Sequence, residues 1–309
     1  ELLGERMLTT PPHYAYLKIA EGCDRNCSFC IIPEIRGRNK SKSIEELVNE
    51  TKYLVRQGVK EIILIAQDTT RYGVDLYGKK SLAELLKALE KIDGVRWIRL
   101  QYTYPDNSLY DVLEVMKNSS KICHYLDIPL QHINDTILQS MKRGHSKKII
   151  SDLLDSFRNE IPDIAIRTTL ITGYPGEGQA EFEELKSFIR QYRFERLGVF
   201  AFSPEEGTEA AKLNDDIPFD VKENRVSEIM ELQKDISREM NLKKIGNSYT
   251  AIVDRREDNT WILRSQYDSP EVDTEIYVKD QPGLTEGQFV KLRITAADDY
   301  DLYGEITGE

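Results

Sequence analysis

Gly22-Cys23-Asp24-Arg25-Asn26-Cys27-Ser28-Phe29-Cys30 places three thiols within eight positions, at spacings of four and three. The stretch follows directly on a strand-like run, Tyr14–Ala20, on the kind of loop where parallel α/β folds carry their chemistry. A loop this tight aims three thiolates at a single centre. Three thiolates would leave a 4Fe–4S cluster with one iron lacking a protein ligand, whereas electron-transfer clusters usually take four. That iron is open to chelation by the amino and carboxylate groups of a small molecule. On spacing alone zinc is the alternative, with His13 or Asp24 as fourth ligand. Zinc sites favour two CxxC pairs, and the chain has no second pair.

Working outward from the cysteines, runs rich in branched and aromatic residues recur at Tyr14–Ala20, Glu61–Ala66, Trp97–Gln101, Tyr125–Pro129, Ala165–Thr172 and Leu197–Phe202. Helix-period stretches separate them, at Ser43–Gln57, Ser81–Lys91, Ser108–Ser119, Ser146–Asn159 and Gln179–Gln191. Ser43 with Glu46 forms a capping box, and Gly58 closes that helix. Six strand–helix repeats imply right-handed crossovers and a parallel sheet. Periodicity alone does not say whether that sheet closes, but six units are fewer than the eight of a full barrel, and the expected fold is an open (β/α)6 partial TIM barrel. After Phe202 the rhythm changes to one long amphipathic helix, about Phe219–Lys244, ended by Gly246. Five short alternating runs follow, Tyr249–Asp254, Trp261–Leu263, Glu275–Val278, Phe289–Thr295 and Leu302–Ile306, which read as a small all-β barrel. The expected organisation is a linker remnant at 1–12, the α/β core at 13–218, a connecting helix at 219–244 and the β-barrel at 245–309.

The chain has 309 residues, 40% of them hydrophobic, and a net charge of −11. That balance disfavours a general nucleic-acid binder. Four cysteines cannot make a secreted disulfide scaffold, and three clustered thiols point to metal in a reducing compartment. No apolar run approaches the ~18–20 residues of a membrane helix. Glu1 to Thr10 does not have the form of a signal peptide, so the expected location is cytoplasmic. Cys123 reads as a small buried hydrophobe. Among His13, His132 and His145, His132 at the end of the fourth strand has the best claim to the mouth of the site.

CxxxCxxC with an aromatic before its last cysteine resembles the signature of the radical S-adenosylmethionine (SAM) superfamily. Gly22-Cys23, Ile32-Pro33, Arg36-Gly37, Ile65-Ala66-Gln67-Asp68-Thr69-Thr70, Thr172-Gly173-Tyr174-Pro175-Gly176-Glu177 and Phe202-Ser203-Pro204-Glu205-Glu206-Gly207-Thr208 extend the likeness. With the terminal barrel, similar to a TRAM domain, these strings resemble the methylthiotransferases. The resemblance implies a 4Fe–4S cluster on Cys23, Cys27 and Cys30. When reduced, that cluster splits SAM to a 5′-deoxyadenosyl radical, which takes hydrogen from an unactivated C–H bond. It also implies SAM contacts from Phe29 at the adenine, Gln67 and Asp68 at the amino group, and Gly173, Pro175 and Gly176 at the ribose or adenine. Arg143 and Arg167 are candidates for the SAM carboxylate or substrate. A reductant such as flavodoxin or ferredoxin is implied as a partner.

Two branches of that family compete, one modifying tRNA adenosines and one adding a methylthio group to the β-carbon of an aspartate in a small-subunit ribosomal protein. Gln101-Tyr102-Thr103-Tyr104-Pro105, Leu126-Asp127-Ile128-Pro129-Leu130-Gln131-His132 and Ser269-Pro270-Glu271-Val272-Asp273 resemble the protein-modifying branch. Charge agrees. From Ile245 to Glu309 there are 6 Lys and Arg against 14 Asp and Glu, a net of −8, while the other 244 residues carry −3. A module at −8 repels a phosphate backbone and attracts a basic protein. The family resemblance also implies an N-terminal domain with an auxiliary cluster. The expectation here is therefore a fragment that cleaves SAM without inserting sulfur. A non-catalytic zinc-binding ribosome adaptor is the reading from another class.

Overall fold

The computed structural model describes residues 8–308; of the stretch 1–12 read as a linker, positions 1–7 lie outside the described residues. Six parallel strands alternate with helices: β1 Tyr14–Lys18, β2 Glu61–Ile65, β3 Trp97–Leu100, β4 Tyr125–Asp127, β5 Ala165–Thr172 and β6 Arg196–Ala201. Between them run α1 Ile44–Arg56, α2 Leu82–Leu89, α3 Leu109–Lys117, α4 Lys147–Glu160 and α5 Gln179–Tyr192. β1, β2 and β3 pair in that order, as do β4, β5 and β6. A parallel bridge between Ile98 and Ile122 joins the two halves. Among the described residues β6 does not pair back onto β1, so the barrel stays open. No helix of the described chain is long and apolar enough to cross a membrane.

The strand period of two divides the layer into an apolar outer face and a polar inner one. Ala15, Leu17, Ile62, Leu64, Ile98 and Leu100 face outward into one core with Leu47, Leu54, Leu85 and Leu153 of the helices. The alternate residues turn inward: Tyr14, Tyr16, Glu61, Arg99, Tyr125, Arg167 and Arg196. A closed eight-stranded barrel fills this space with branched aliphatic side chains. Here the lower half of the interior is charged and needs partners.

Those partners come from the far end of the chain. α6, Phe219–Leu242, leads to five strands, β7 Ser248–Glu257, β8 Thr260–Ser265, β9 Ile276–Lys279, β10 Phe289–Ala297 and β11 Leu302–Gly308. They close in the order β8-β9-β11-β10-β7 around Val253, Leu263, Ile276, Val290, Leu292 and Ile294. This small barrel docks on the N-terminal ends of the core strands. Arg264 of β8 reaches Glu61 Oε2 at 2.6 Å and Asp254 Oδ2 at 2.9 Å, and Arg99 Nε donates to Glu61 Oε1 at 2.7 Å. His13 Nε2 lies 2.9 Å from Asp254 Oδ1. Arg196 pairs with Asp268, and Gln101 Nε2 donates to Ser269 Oγ at 2.5 Å. Burial alone would raise the Glu61 carboxyl, but the Arg264 and Arg99 guanidiniums hold it below the usual carboxylate range. Charges this buried are tolerated only when paired.

The structure departs from the sequence reading at small elements. Helices at Ile32–Arg36, Val74–Tyr77 and Asp135–Ser140 were not expected, because so few residues show no helical period. The first strand stops at Lys18, and Ala20–Glu21 pairs antiparallel with Lys40–Ser41. Gly22 explains that turn: with φ of +82°, a Cβ there would lie 2.3 Å from the Arg38 carbonyl oxygen.

Replacing Glu61 by Gln leaves two buried guanidiniums short of a counter-charge, and should lower stability by about 3–5 kcal/mol. Urea unfolding measures this, and a loss under about 1 kcal/mol would refute the role given to the node. Acid should act in the same direction. Glu61, Asp254 and Asp268 all titrate below the usual carboxylate range, despite burial, because of neighbouring cations. Their contribution is therefore full above about pH 4 and is lost as pH falls through the depressed folded values. Thermal melts from pH 7 down to 3 should show the loss; a melting temperature independent of pH would contradict it.

Candidate active site

The cysteine loop leaves the C-terminal end of β1, opposite the docked barrel, and is fastened at nearly every residue between its thiols. Cys23 N donates to Gly37 O at 3.0 Å, and Cys30 N to Cys27 O at 3.1 Å, closing a tight turn. Arg25 Nε donates to Asp68 Oδ2 at 2.7 Å, its NH2 reaches Asp106 Oδ2 at 3.0 Å, and its guanidinium stacks 3.6 Å over the Tyr104 ring. Ser28 Oγ donates to Ser140 O at 2.8 Å and lies 2.9 Å from Tyr174 Oη, while Ser28 N donates to Met141 O. Loop rigidity of this kind pre-forms a metal cradle.

The three thiols are half-buried and free. Burial raises the Cys23 and Cys30 thiols above their ordinary value. Backbone N–H of Arg25 stands 3.4 Å from Cys23 Sγ and Arg143 NH1 stands 3.5 Å from Cys27 Sγ. Donors aimed at sulfur favour the thiolate and help to set the potential of a bound cluster. A single zinc draws its ligands together on one ion at about 2.3 Å per sulfur, whereas a cuboidal cluster gives each cysteine its own iron. The proposed fourth zinc ligands are also engaged elsewhere. His13 sits on Asp254 at the opposite end of the core, and the Asp24 carboxylate accepts from Asn39 N and from Arg71.

Buried polar atoms without partners surround the cradle, as a site for a polar molecule requires. They include Gln67 Oε1, Arg143 Nε and both ring nitrogens of His145. His145 packs edge-on against Tyr104, 5.1 Å between centroids. Burial, then Arg143 and Arg25, push its pKa down to about 3, so the ring is neutral. The donor set and these orphaned atoms fit a three-cysteine cluster with a polar chelating ligand beside it.

The sequence candidates divide in the structure. Phe29 is half-buried against Ile137, Met141, Tyr174 and Phe202, beside the thiols. Gln67 Nε2 donates to Glu21 Oε1 at 3.2 Å. Asp68 caps the turn that follows and clamps Arg25, so both its oxygens are occupied. Gly173 has a φ of +72°, and a Cβ there would lie 2.4 Å from Lys222. Its N–H donates to Glu177 Oε2 at 2.9 Å. Pro175 is buried beside it, and Gly176, with φ of +90°, is exposed. Arg143 is at the cradle, with NH2 2.6 Å from Pro129 O.

Two candidates lie away from the thiols. Arg167 is near the N-terminal end of β5, its Nε 3.4 Å from Asp273 Oδ1, an ion pair inside the strand layer. His132 is fully buried, with Nε2 3.4 Å from Glu177 Oε2, and does not line the mouth. It belongs to a node in which Glu177 also accepts from Thr172 and from Arg225 of α6 at 2.9 Å, holding the Gly173 turn. Residues missed by the sequence reading are Arg25, Ser28, Tyr104 and Tyr174. Arg25 and Ser28 lie inside the cysteine motif itself, where the anchoring role of the spacer residues was the available signal.

Three strings far apart in sequence meet at the base. Gln101 bonds Ser269, Tyr102 N donates to Asp127 Oδ2 at 2.9 Å, and Tyr125 Oη donates to Asp273 Oδ2 at 2.7 Å.

Residues 17–189 match the radical SAM superfamily and residues 245–307 match the TRAM domain. Over 306 residues the chain is 54% identical to the ribosomal protein uS12 methylthiotransferase RimO of Christiangramia forsetii, covering 99% of this chain and 68% of that protein. The protein of that name from Flavobacterium johnsoniae is also 54% identical, with 99% and 70% covered. Among solved structures, the radical SAM methyltransferase TsrM of Kitasatospora setae, with cobalamin and a 4Fe–4S cluster bound, gives a TM-score of 0.51. That match spans 61% of this chain and 36% of TsrM at 15% identity, a likeness of fold.

Replacing Cys27 by Ala should take iron in the anaerobically reconstituted protein from about four atoms per chain to background. Asp68→Asn, which removes one of the charges that hold Arg25, should lower the iron and sulfide retained per chain without unfolding it. Metal and sulfide analysis reads both, and one zinc per chain with no acid-labile sulfide would overturn the assignment.

Proposed function

Since this chain belongs to the radical SAM methylthiotransferases of the RimO type, we propose that it adds a methylthio group to the β-carbon of an aspartate in ribosomal protein uS12. The observation that carries the reading is the pre-formed three-thiol cradle at the mouth of an open, polar barrel. When bound, a 4Fe–4S cluster and SAM supply a carbon-centred radical able to take hydrogen from an unactivated C–H bond.

The chain's own residues hold, orient and shield. Cys23, Cys27 and Cys30 hold the cluster, with Arg143 and the Arg25 N–H directed at sulfur. Gln67 offers its unpartnered Oε1 to an ammonium group, and Asp68 fixes the loop from below through Arg25. Phe29 offers a ring face, and Gly176, held in place by the buried Gly173 turn, offers exposed backbone to a nucleoside. Apolar packing of Phe29, Tyr174 and Phe202 keeps water from that side of the site. One-electron reduction falls to an external donor such as flavodoxin or ferredoxin, and the location that suits this chemistry and substrate is the cytoplasm.

The substrate reading rests on charge as well as on kinship. The β-barrel region carries −8, which opposes a nucleic-acid backbone and favours a basic protein. Reconstituted protein with SAM, reductant and uS12 deuterated at aspartate β-carbons should release 5′-deoxyadenosine carrying deuterium. No label from deuterated uS12, with label arriving when deuterated tRNA is supplied in its place, would refute the assignment.

A further inference from the structure

Where the open edge of the strand layer meets α6 and the small barrel, the chain forms a half-open cavity of about 500 Å³. Arg167 and Gly198 line it from the strands, Gln233 from α6, and Glu271, Asp273 and Asp301 from the barrel. Several charged groups of its wall neutralise one another. Glu195 is engaged by Arg158, Glu275 by Arg255, and Arg196 by Asp268. Asp273 faces Arg167, whereas Glu271 accepts from Tyr14 Oη at 2.8 Å and Asp301 from Glu275 N at 3.0 Å, neither in a salt bridge among the described residues.

The imbalance shows at single atoms. The Asp273 side chain is 1% exposed and lines the cavity, yet its Oδ1 accepts no hydrogen bond, with Arg167 Nε 3.4 Å away. Asp127 is equally buried, and its Oδ1 also has no hydrogen-bond partner. Burial, with Asp273 adding to it, pushes its pKa up to about 6. Burial, then Asp298 and Glu275, raise the Asp301 carboxyl in the same way. Burial is the main cause in both, and the nearest cations, Arg167 and Arg196, offset it only in part. A cationic hydrogen-bond donor entering the cleft would add positive charge and meet the unpartnered Asp273 Oδ1.

The cavity also has a path to the thiols. On the inner side of β6, Gly198 leaves open space and Phe200 is 63% exposed. The six steps from Arg196 to Phe202, which packs near Phe29, rise roughly 20 Å. An extended peptide laid along this edge would span from the cavity to the cysteine loop.

We propose that this cavity is a subsite for a Lys or Arg side chain of the polypeptide substrate, within roughly six residues of the one modified. The proposal rests on the uS12 reading and names the part of the substrate that the acidic module reads.

The test measures binding of uS12 to the purified chain by calorimetry, for wild type and for a Glu271→Gln, Asp301→Asn double variant. Loss should be on the order of tenfold, the span of one interfacial charge pair. Changing the basic residues of uS12 near the modified aspartate to Ala, one at a time, should find one whose loss equals that of the double variant and does not add to it. If Asp301→Asn impairs folding, Glu271→Gln alone and Gly198→Arg, which puts a rival cation into open space, should each weaken binding. Unchanged affinity in all the folded variants overturns the subsite while leaving uS12 as substrate. Absence of any binding between wild type and uS12 overturns the substrate reading, and the subsite with it.

Discussion

A carboxylate with no exposure to water, Glu61, sits between two guanidiniums from opposite ends of the chain, Arg99 of the core and Arg264 of the small barrel. The three charges are affordable only together. Removing any one leaves an ion stranded where the dielectric is low. The core cannot expose the polar foot of its strands, and the barrel cannot leave Arg264 buried among its own residues with Asp254 as sole partner. The node therefore makes one body of two domains, and the loop from Gln266 to Asp273 becomes the floor of the core. Replacing such a node by apolar residues of equal volume is often stabilising in other proteins. Its value here is geometric, since it sets the register of the acidic module against the open edge of the strand layer.

With the base closed in this way, the two ends of the parallel strands take separate tasks. The C-terminal end carries the cysteine loop, stiffened by Arg25 and Ser28, so that little ordering remains when metal binds. Burial around Cys23 and Cys30 favours neutral thiols in the absence of a partner. Arg143 beside Cys27 and the neutral His145 beside Tyr104 show how the same loop balances charge without a protonated imidazole. The N-terminal end carries the charged floor and the unbalanced carboxylates. Between them, Arg225 of α6 reaches Glu177 and so ties the linker helix to the Gly173 turn.

Much of this was legible in the sequence because it is written in short-range periods. Strand–helix alternation, the Ser43 capping box and the alternating runs after Gly246 each follow from local chemistry, and the parallel strand layer and the small barrel follow from them. The cysteine cradle was legible because its ligands share one loop. The surroundings of His132 and Arg167 were not legible, because each owes its environment to residues far away in sequence, Glu177 and Asp273. Strand position says which face a side chain takes, but not which end of the layer will be covered. That the three strings around Tyr102, Asp127 and Asp273 touch one another could not be read from any of them, since no local period encodes where a loop docks.

The most direct test of the account is mass spectrometry of the small-subunit ribosomal proteins, together with digested tRNA nucleosides, from the source organism with and without this gene. Deletion should remove a methylthio increment from uS12 and leave tRNA nucleosides unchanged. Loss of a methylthio-adenosine with uS12 unaltered would contradict it, and would mean that the acidic module does not choose the substrate.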